Sequence, residues 1–169
     1  MRVLVAGAGN IFLGDDGFGP EVIRVLQQEQ LPPGVRLVDY GIRGVHLAYD
    51  LLESWEALVL IDALPPGGKP GAIEVFELDA HADTDGGILS SGPPKLDAHS
   101  LDPNSVFSSL RALGGTAPRT FVVGAHVESV DEGMGLTPKV QAAVTGAASV
   151  VLGLVRSMAV DAASADQGA

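Results

Sequence analysis

Apolar positions along the chain recur at two spacings, every second residue in some segments and every third or fourth in others, the periods of strands and helices. Arg2–Ala6 (RVLVA) is a short β-branched run that stops at Gly7, the pattern of a buried strand. Gly7–Gly19 reads as a loop. Pro20 stands where a helix accepts proline in its first turn, and Val22, Ile23, Val25 and Leu26 supply an apolar face. Pro32-Pro33-Gly34 ends that element, and Val35–Asp39 (VRLVD) is a second strand. Gly44–Trp55 carries Leu47, Leu51 and Leu52 at helical spacing. Ala57–Asp62 (ALVLID) is a third strand, apolar on both faces and so central in its sheet.

The connection Ala63–Gly71 holds three prolines and three glycines in nine residues. A crossover between parallel strands needs about a dozen residues or more. The next strand, Ala72–Glu77, is therefore expected to run antiparallel to the others. Leu78–Ala98 is polar and aperiodic, long for a structureless loop, and such loops are often functional. A helix over Asp102–Leu113 follows, with Asp102 as its cap and Pro103 at its first position. Arg119–Ala125 (RTFVVGA) is a fifth strand. Thr137-Pro138 opens a last helix with a buried stripe of Val140, Ala143, Val144, Ala147, Val151, Leu154 and Val155. The order β-α-β-α-β-β-α-β-α predicts a three-layer α/β/α sandwich with a five-stranded, mostly parallel sheet and one antiparallel strand. Residues 1–158 are expected to form one domain, and 159–169, rich in Ala, Ser and Asp, a disordered tail.

Composition narrows the function. The 169 residues suit one core, and 46% of them are hydrophobic. The net charge of −11, without a basic patch, excludes nucleic acid as a partner. No apolar run approaches the roughly 20 residues of a membrane span, and Met1–Val5 leads straight into Gly and Asn rather than into a secretory signal. Cysteine is absent, which removes disulfides, thiolate metal sites and a cysteine nucleophile. A cytoplasmic protein without membrane contact is expected.

In a parallel sheet the active site lies outside the carboxyl ends of the strands. Asp15-Asp16 after the first strand, Asp39 ending the second and Asp62 ending the third all fall there. Gly7-Ala8-Gly9 suggests a dinucleotide loop, but Phe12 stands where the third glycine belongs, and two carboxylates would face the pyrophosphate. Asp-Asp-Gly is also ordinary turn chemistry. Asp62, directly after Leu58-Val59-Leu60-Ile61, must be paired, hydrogen-bonded or functional. His99 follows the long polar loop, His126 ends the fifth strand, and His46 and His81 read as surface residues. There is no G-x-S-x-G and no H-E-x-x-H. Two or three carboxylates and an imidazole at strand ends form an oxygen and nitrogen donor set that suits a borderline divalent metal such as nickel or zinc.

Five motifs in order and spacing resemble the [NiFe]-hydrogenase maturation endopeptidases over about residues 1–156. They are Gly7-Ala8-Gly9-Asn10 running to Asp15-Asp16-Gly17-Phe18-Gly19; Val38-Asp39 with Gly41-Ile42-Arg43-Gly44; Leu60-Ile61-Asp62-Ala63; Ala98-His99-Ser100-Leu101; and Val122–Ser129 with Gly135-Leu136-Thr137-Pro138. Ile42 replaces the family's usual Thr, and Val127 its frequent Pro. The resemblance implies the same three-layer fold. It implies that Asp16, Asp62 and His99 contact nickel and carry the chemistry. It also implies one endoproteolytic cut near the C-terminus of a hydrogenase large-subunit precursor, after nickel insertion, with the nickel supplied by the substrate and no organic cofactor. Asp15 or Asp39 could then serve as a base or orient His99, and His126 is expected to contact substrate or to be structural. Two other classes stay open on the residues alone: a metal- or nucleotide-binding module without peptidase activity, and a related peptidase, like the spore-germination proteases, with another protein substrate.

Overall fold

The computed structural model describes residues 1–78 and 101–166. In chain order its elements are β1 (Val3–Ala8), α1 (Phe18–Leu26), β2 (Val35–Gly41), α2 (Gly44–Asp50), β3 (Ala57–Leu64), β4 (Ile73–Leu78), α3 (Pro103–Ala112), β5 (Arg119–His126) and α4 (Pro138–Asp166). The five strands form one sheet in the order β2-β1-β3-β5-β4. All neighbours are parallel except β4, which runs antiparallel to β5 with Ile73 opposite Ala125 and Leu78 opposite Thr120. The short proline-rich connection after β3 is what forces this reversal. The expected three-layer fold is the observed one.

Alternation along each central strand divides the core in two. Val3, Val5, Val59, Ile61 and Val123 pack beneath α1 and α4 with Val22, Ile23, Val140, Val144 and Val151. Leu4, Ala6, Leu58, Leu60 and Val122 point the other way, onto Leu47 and Leu51 at α2 and Val106, Phe107 and Leu110 of α3. Each of the buried Val, Leu and Ile side chains stabilises the fold by about 1.5–3 kcal/mol relative to exposure. Helix α4 is long and apolar enough to cross a membrane by length and composition, with a mean hydropathy of 1.7. Its Val140, Ala147, Val151 and Val155 are fully buried against the sheet and α1.

Several element boundaries differ from those expected, each for a local reason. Gly14–Gly17 forms a 3-10 turn that leads directly into α1 at Phe18. Pro20 is then the third helical residue, where a missing N–H still costs nothing. Strand β3 runs past Asp62 to Leu64, because β5 continues to pair with it as far as His126. Asp62 is thus inside the strand rather than at its tip. Helix α2 stops at Asp50, whose carbonyl accepts the Trp55 indole N–H at 2.8 Å. Helix α4 continues through Ala159 to Asp166, well past the point where the tail was expected to begin. Alanine, frequent there, has the highest intrinsic helix propensity.

The chain leaves β1 for β2 on one side, while β3 takes β5 on the other, so strand order reverses between β1 and β3. That crevice is where ligands bind in such sheets. Its floor depends on Gly19: a Cβ there would collide with the carbonyl oxygens of Ala8 on β1 and Ile61 on β3. Gly19→Ala is expected to destabilise the protein by about 3 kcal/mol. Gly153→Ala on α4, where nothing lies within 4 Å of the added carbon, should gain about 0.5–1 kcal/mol. Urea denaturation of the two variants checks this contrast.

Candidate active site at the carboxyl ends of the parallel strands

Asp62 is fully buried on β3. Its Oδ1 accepts the Ala63 N–H at 2.8 Å, while its Oδ2 meets no hydrogen-bond partner among the described residues. Burial pushes this carboxyl well above the usual carboxylate range; the Ala63 N–H opposes the rise and the negative charge of Asp16 adds to it. Burial therefore shifts Asp62 toward its neutral form relative to an exposed aspartate.

Asp16 reaches the same place from the loop after β1. Gly9 has φ +132°, and a Cβ on it would strike the Asp16 carbonyl, so only glycine lets the loop fold back this tightly. Asn10 holds the fold from both ends: its N–H donates to Asp16 Oδ2 at 2.7 Å, and its Oδ1 accepts the Phe12 N–H at 3.0 Å. Asp16 is 9% exposed, and its charge is felt by Asp62. Two acidic groups thus share the crevice between β1 and β3. His99 lies outside the described residues. Among the described residues no three His, Asp or Glu side chains come together as a metal cluster.

Asp15, next in the chain, faces the other way. It is fully buried, and its carboxylate takes four hydrogen bonds: Glu128 N–H at 2.8 Å, Ser129 N–H at 3.0 Å, Thr137 N–H at 2.6 Å and the Thr137 hydroxyl at 3.0 Å. Burial alone would raise its pKa, but these donors outweigh burial and hold the group below the ordinary range. Both oxygens of Asp15 are thus engaged by the return from β5. Asp39 is exposed, and its Oδ1 accepts the Gly41 N–H at 2.9 Å in the turn after β2.

The profile of a family described as hydrogenase maturation protease matches residues 20–154. The chain belongs to that family. It is 31% identical over 164 residues to the hydrogenase 2 maturation protease of Escherichia coli K12, covering 96% of this chain and 95% of that one. Its fold superposes on the E. coli hydrogenase maturating endopeptidase HybD with a TM-score of 0.76 at 30% identity, 94% of each chain being covered. A [NiFe] hydrogenase maturation protease from Thermococcus kodakarensis superposes with a TM-score of 0.65 at 25% identity over 92% of this chain and 99% of that one. The protein is a hydrolase of the endopeptidase type.

His126 is a structural tie in this maturation protease. Its ring is 4% exposed, and both nitrogens face acceptors: Nδ1 lies 2.9 Å from the Pro65 carbonyl and Nε2 2.8 Å from Glu74 Oε1. Gly68 leaves room for the imidazole, which a Cβ there would strike. The ring thereby fastens the turn after β3 to β4. Glu74, Pro65 and Thr137 were not singled out as its partners or those of Asp15, because each pairing depends on sheet register and loop return rather than on local pattern. His46 is exposed on α2.

Two outcomes follow from these environments. The raised Asp62 pKa means that its contribution to stability is present below about pH 3.9, the ordinary Asp value, and is lost as pH rises through the folded value. Asp62→Asn keeps an acceptor for Ala63 and cannot ionise. It should be more stable than the native protein near pH 7, by about 1–3 kcal/mol, and no more stable near pH 4, as thermal melts across pH would show. The His126 pKa is raised, chiefly by Glu74 and then by the Pro65 carbonyl. Its contribution is present below about pH 6.5 and is lost as pH climbs through the raised value. His126→Gln should flatten the fall in Tm between about pH 6 and pH 9, the side on which an imidazolium loses its proton.

Proposed function

We propose that this endopeptidase makes one cut near the C-terminus of a [NiFe]-hydrogenase large-subunit precursor once nickel has been inserted, and releases a short peptide. The observation that carries the reading is the Asp16–Asp62 pair in the β1–β3 crevice, with Asp62 Oδ2 buried and without a hydrogen-bond partner among the described residues. An oxygen in that position is costly as an anion until a cation compensates it. Asp16, Asp62 and His99 are the residues proposed to hold the substrate's nickel. Leu101 is buried beside Gly44 at the start of α2, just after the carboxyl end of β2.

The nickel borne by the substrate supplies a Lewis acid for the scissile carbonyl or for an attacking water. Burial makes the Asp62 carboxylate costly as an anion without a positive partner, so the nickel of a loaded precursor is a charge that the acidic pair can accept, and a precursor without metal offers none. The reaction is placed in the cytoplasm, a reading supported by a cysteine-free sequence.

Mixing the protein with nickel-loaded and nickel-free precursor, and weighing the large subunit by mass spectrometry, tests the proposal. Shortening is expected only for the loaded form. Asp16→Ala, Asp62→Ala and His99→Ala should each abolish it while leaving the far-UV circular dichroism unaltered. Normal processing by Asp62→Ala would refute the assignment of the site.

A further inference from the structure

We infer that Asp15 is the positioning residue of this site, joining the loop after β5 to the loop after β1 and thereby setting where Asp16 points. The inference rests on the proposed role of Asp16 toward the substrate's nickel. Three observations support it. First, the Asp15 carboxylate is fully buried and is the shared acceptor for donors on Glu128, Ser129 and Thr137, which span the return from β5 to α4. Second, the same two loops are laced together by backbone bonds: Gly14 N–H to the Gly133 carbonyl at 2.9 Å, Gly133 N–H to Phe12 at 2.8 Å, and Asp15 N–H to Ser129 at 3.0 Å. Third, Asp16 follows within the same 3-10 turn, its own N–H bonded to the Leu13 carbonyl at 3.1 Å. The segment Phe12–Asp15 is therefore held along its length by residues 128–137, and Asp16 inherits its direction from that hold.

Chemistry excludes the simpler role of a base. To take a proton, Asp15 would have to surrender hydrogen bonds from the backbone N–H groups of Glu128, Ser129 and Thr137. The loop that Asp15 grips also exposes Val130 and Met134, 48% and 73% accessible, at the same end of the sheet as the acidic pair. Asp15 is the joint between that outer surface and the metal-facing carboxylate.

Asp15→Asn presents an amide to donors that need two acceptor oxygens, and Thr137→Val removes only the hydroxyl bond. Asp131→Ala removes the Ser129–Asp131 side-chain bond of the same loop without touching Asp15. Three readouts separate position from mere stability: Tm, nickel affinity of the isolated chain by calorimetry with Ni²⁺ alone, and kcat against KM on loaded precursor, all taken well below the lowest Tm. Asp15→Asn is expected to weaken nickel binding by about 10- to 100-fold, the usual effect of losing a group that orients a ligand. Its kcat should fall comparably with KM nearly unchanged. Thr137→Val should move both in the same direction by a smaller factor, and Asp131→Ala should leave both as they are. Asp15→Asn binding nickel as the native protein does, while Asp16→Ala loses it, overturns this inference alone. Should Asp15→Asn fail to fold, Thr137→Val with native nickel affinity overturns it as well, and so does Asp131→Ala falling as far as Thr137→Val. Asp16→Ala with native nickel affinity removes the reading beneath the inference and the inference with it.

Discussion

At Gly19 the first turn of helix α1 rests directly on the sheet, with no side chain between it and the carbonyls of Ala8 and Ile61. The remaining layout follows from this close approach. It fixes the distance between the loop after β1 and the end of β3, and so the width of the crevice at which strand order reverses. It also requires the intervening residues to fold back on themselves, through Gly9, the Asn10 side chain and a 3-10 turn. A looser contact would leave the acidic loop at the surface, where its charges would be screened and unremarkable to a cation.

Within that frame buried carboxylates have opposite fates. Asp15 is saturated by four donors and behaves as part of the backbone, while Asp62 keeps one oxygen without a donor among the described residues. Burial makes the first rigid and leaves the second short of a donor. Their opposite pKa directions express this difference: hydrogen bonds to the charged form outweigh desolvation at one, and desolvation prevails at the other. The two ends of the same crevice thus hold a stiff support and a carboxyl whose charge burial opposes.

The layers, the mostly parallel five-stranded sheet and the antiparallel strand were legible in the chain because they rest on local signals: period-two and period-3.6 apolar runs, and a connection between β3 and β4 too short for a helix. Asp62 was legible for the same reason, an acid after four apolar residues having few innocent explanations. The partners of Asp15 were not, since Glu128, Ser129 and Thr137 lie more than a hundred positions away and mostly offer backbone N–H groups that any residue would supply. The tie between His126 and Glu74 was hidden by register, because it needs β4 and β5 aligned before the two side chains can be seen to share a face. Boundaries moved where tertiary contacts overrode propensity, as at Trp55, whose indole closes α2 early.

The position of β4 also carries a consequence for the order in which the molecule can be built. Strands β2, β1 and β3 are neighbours and emerge from the ribosome together, but β4 pairs only with β5, which is made later and must insert between β3 and β4. Until β5 arrives, β4 is a strand without a partner on either side, the kind of edge that recruits other chains. Three of its six residues are exposed, Glu74 and Glu77 among them, charges that discourage such recruitment. One of these glutamates is later taken up by His126 and the other by Arg119, both on β5. The residues that keep the strand solitary during synthesis are thus the ones that receive its partner afterwards.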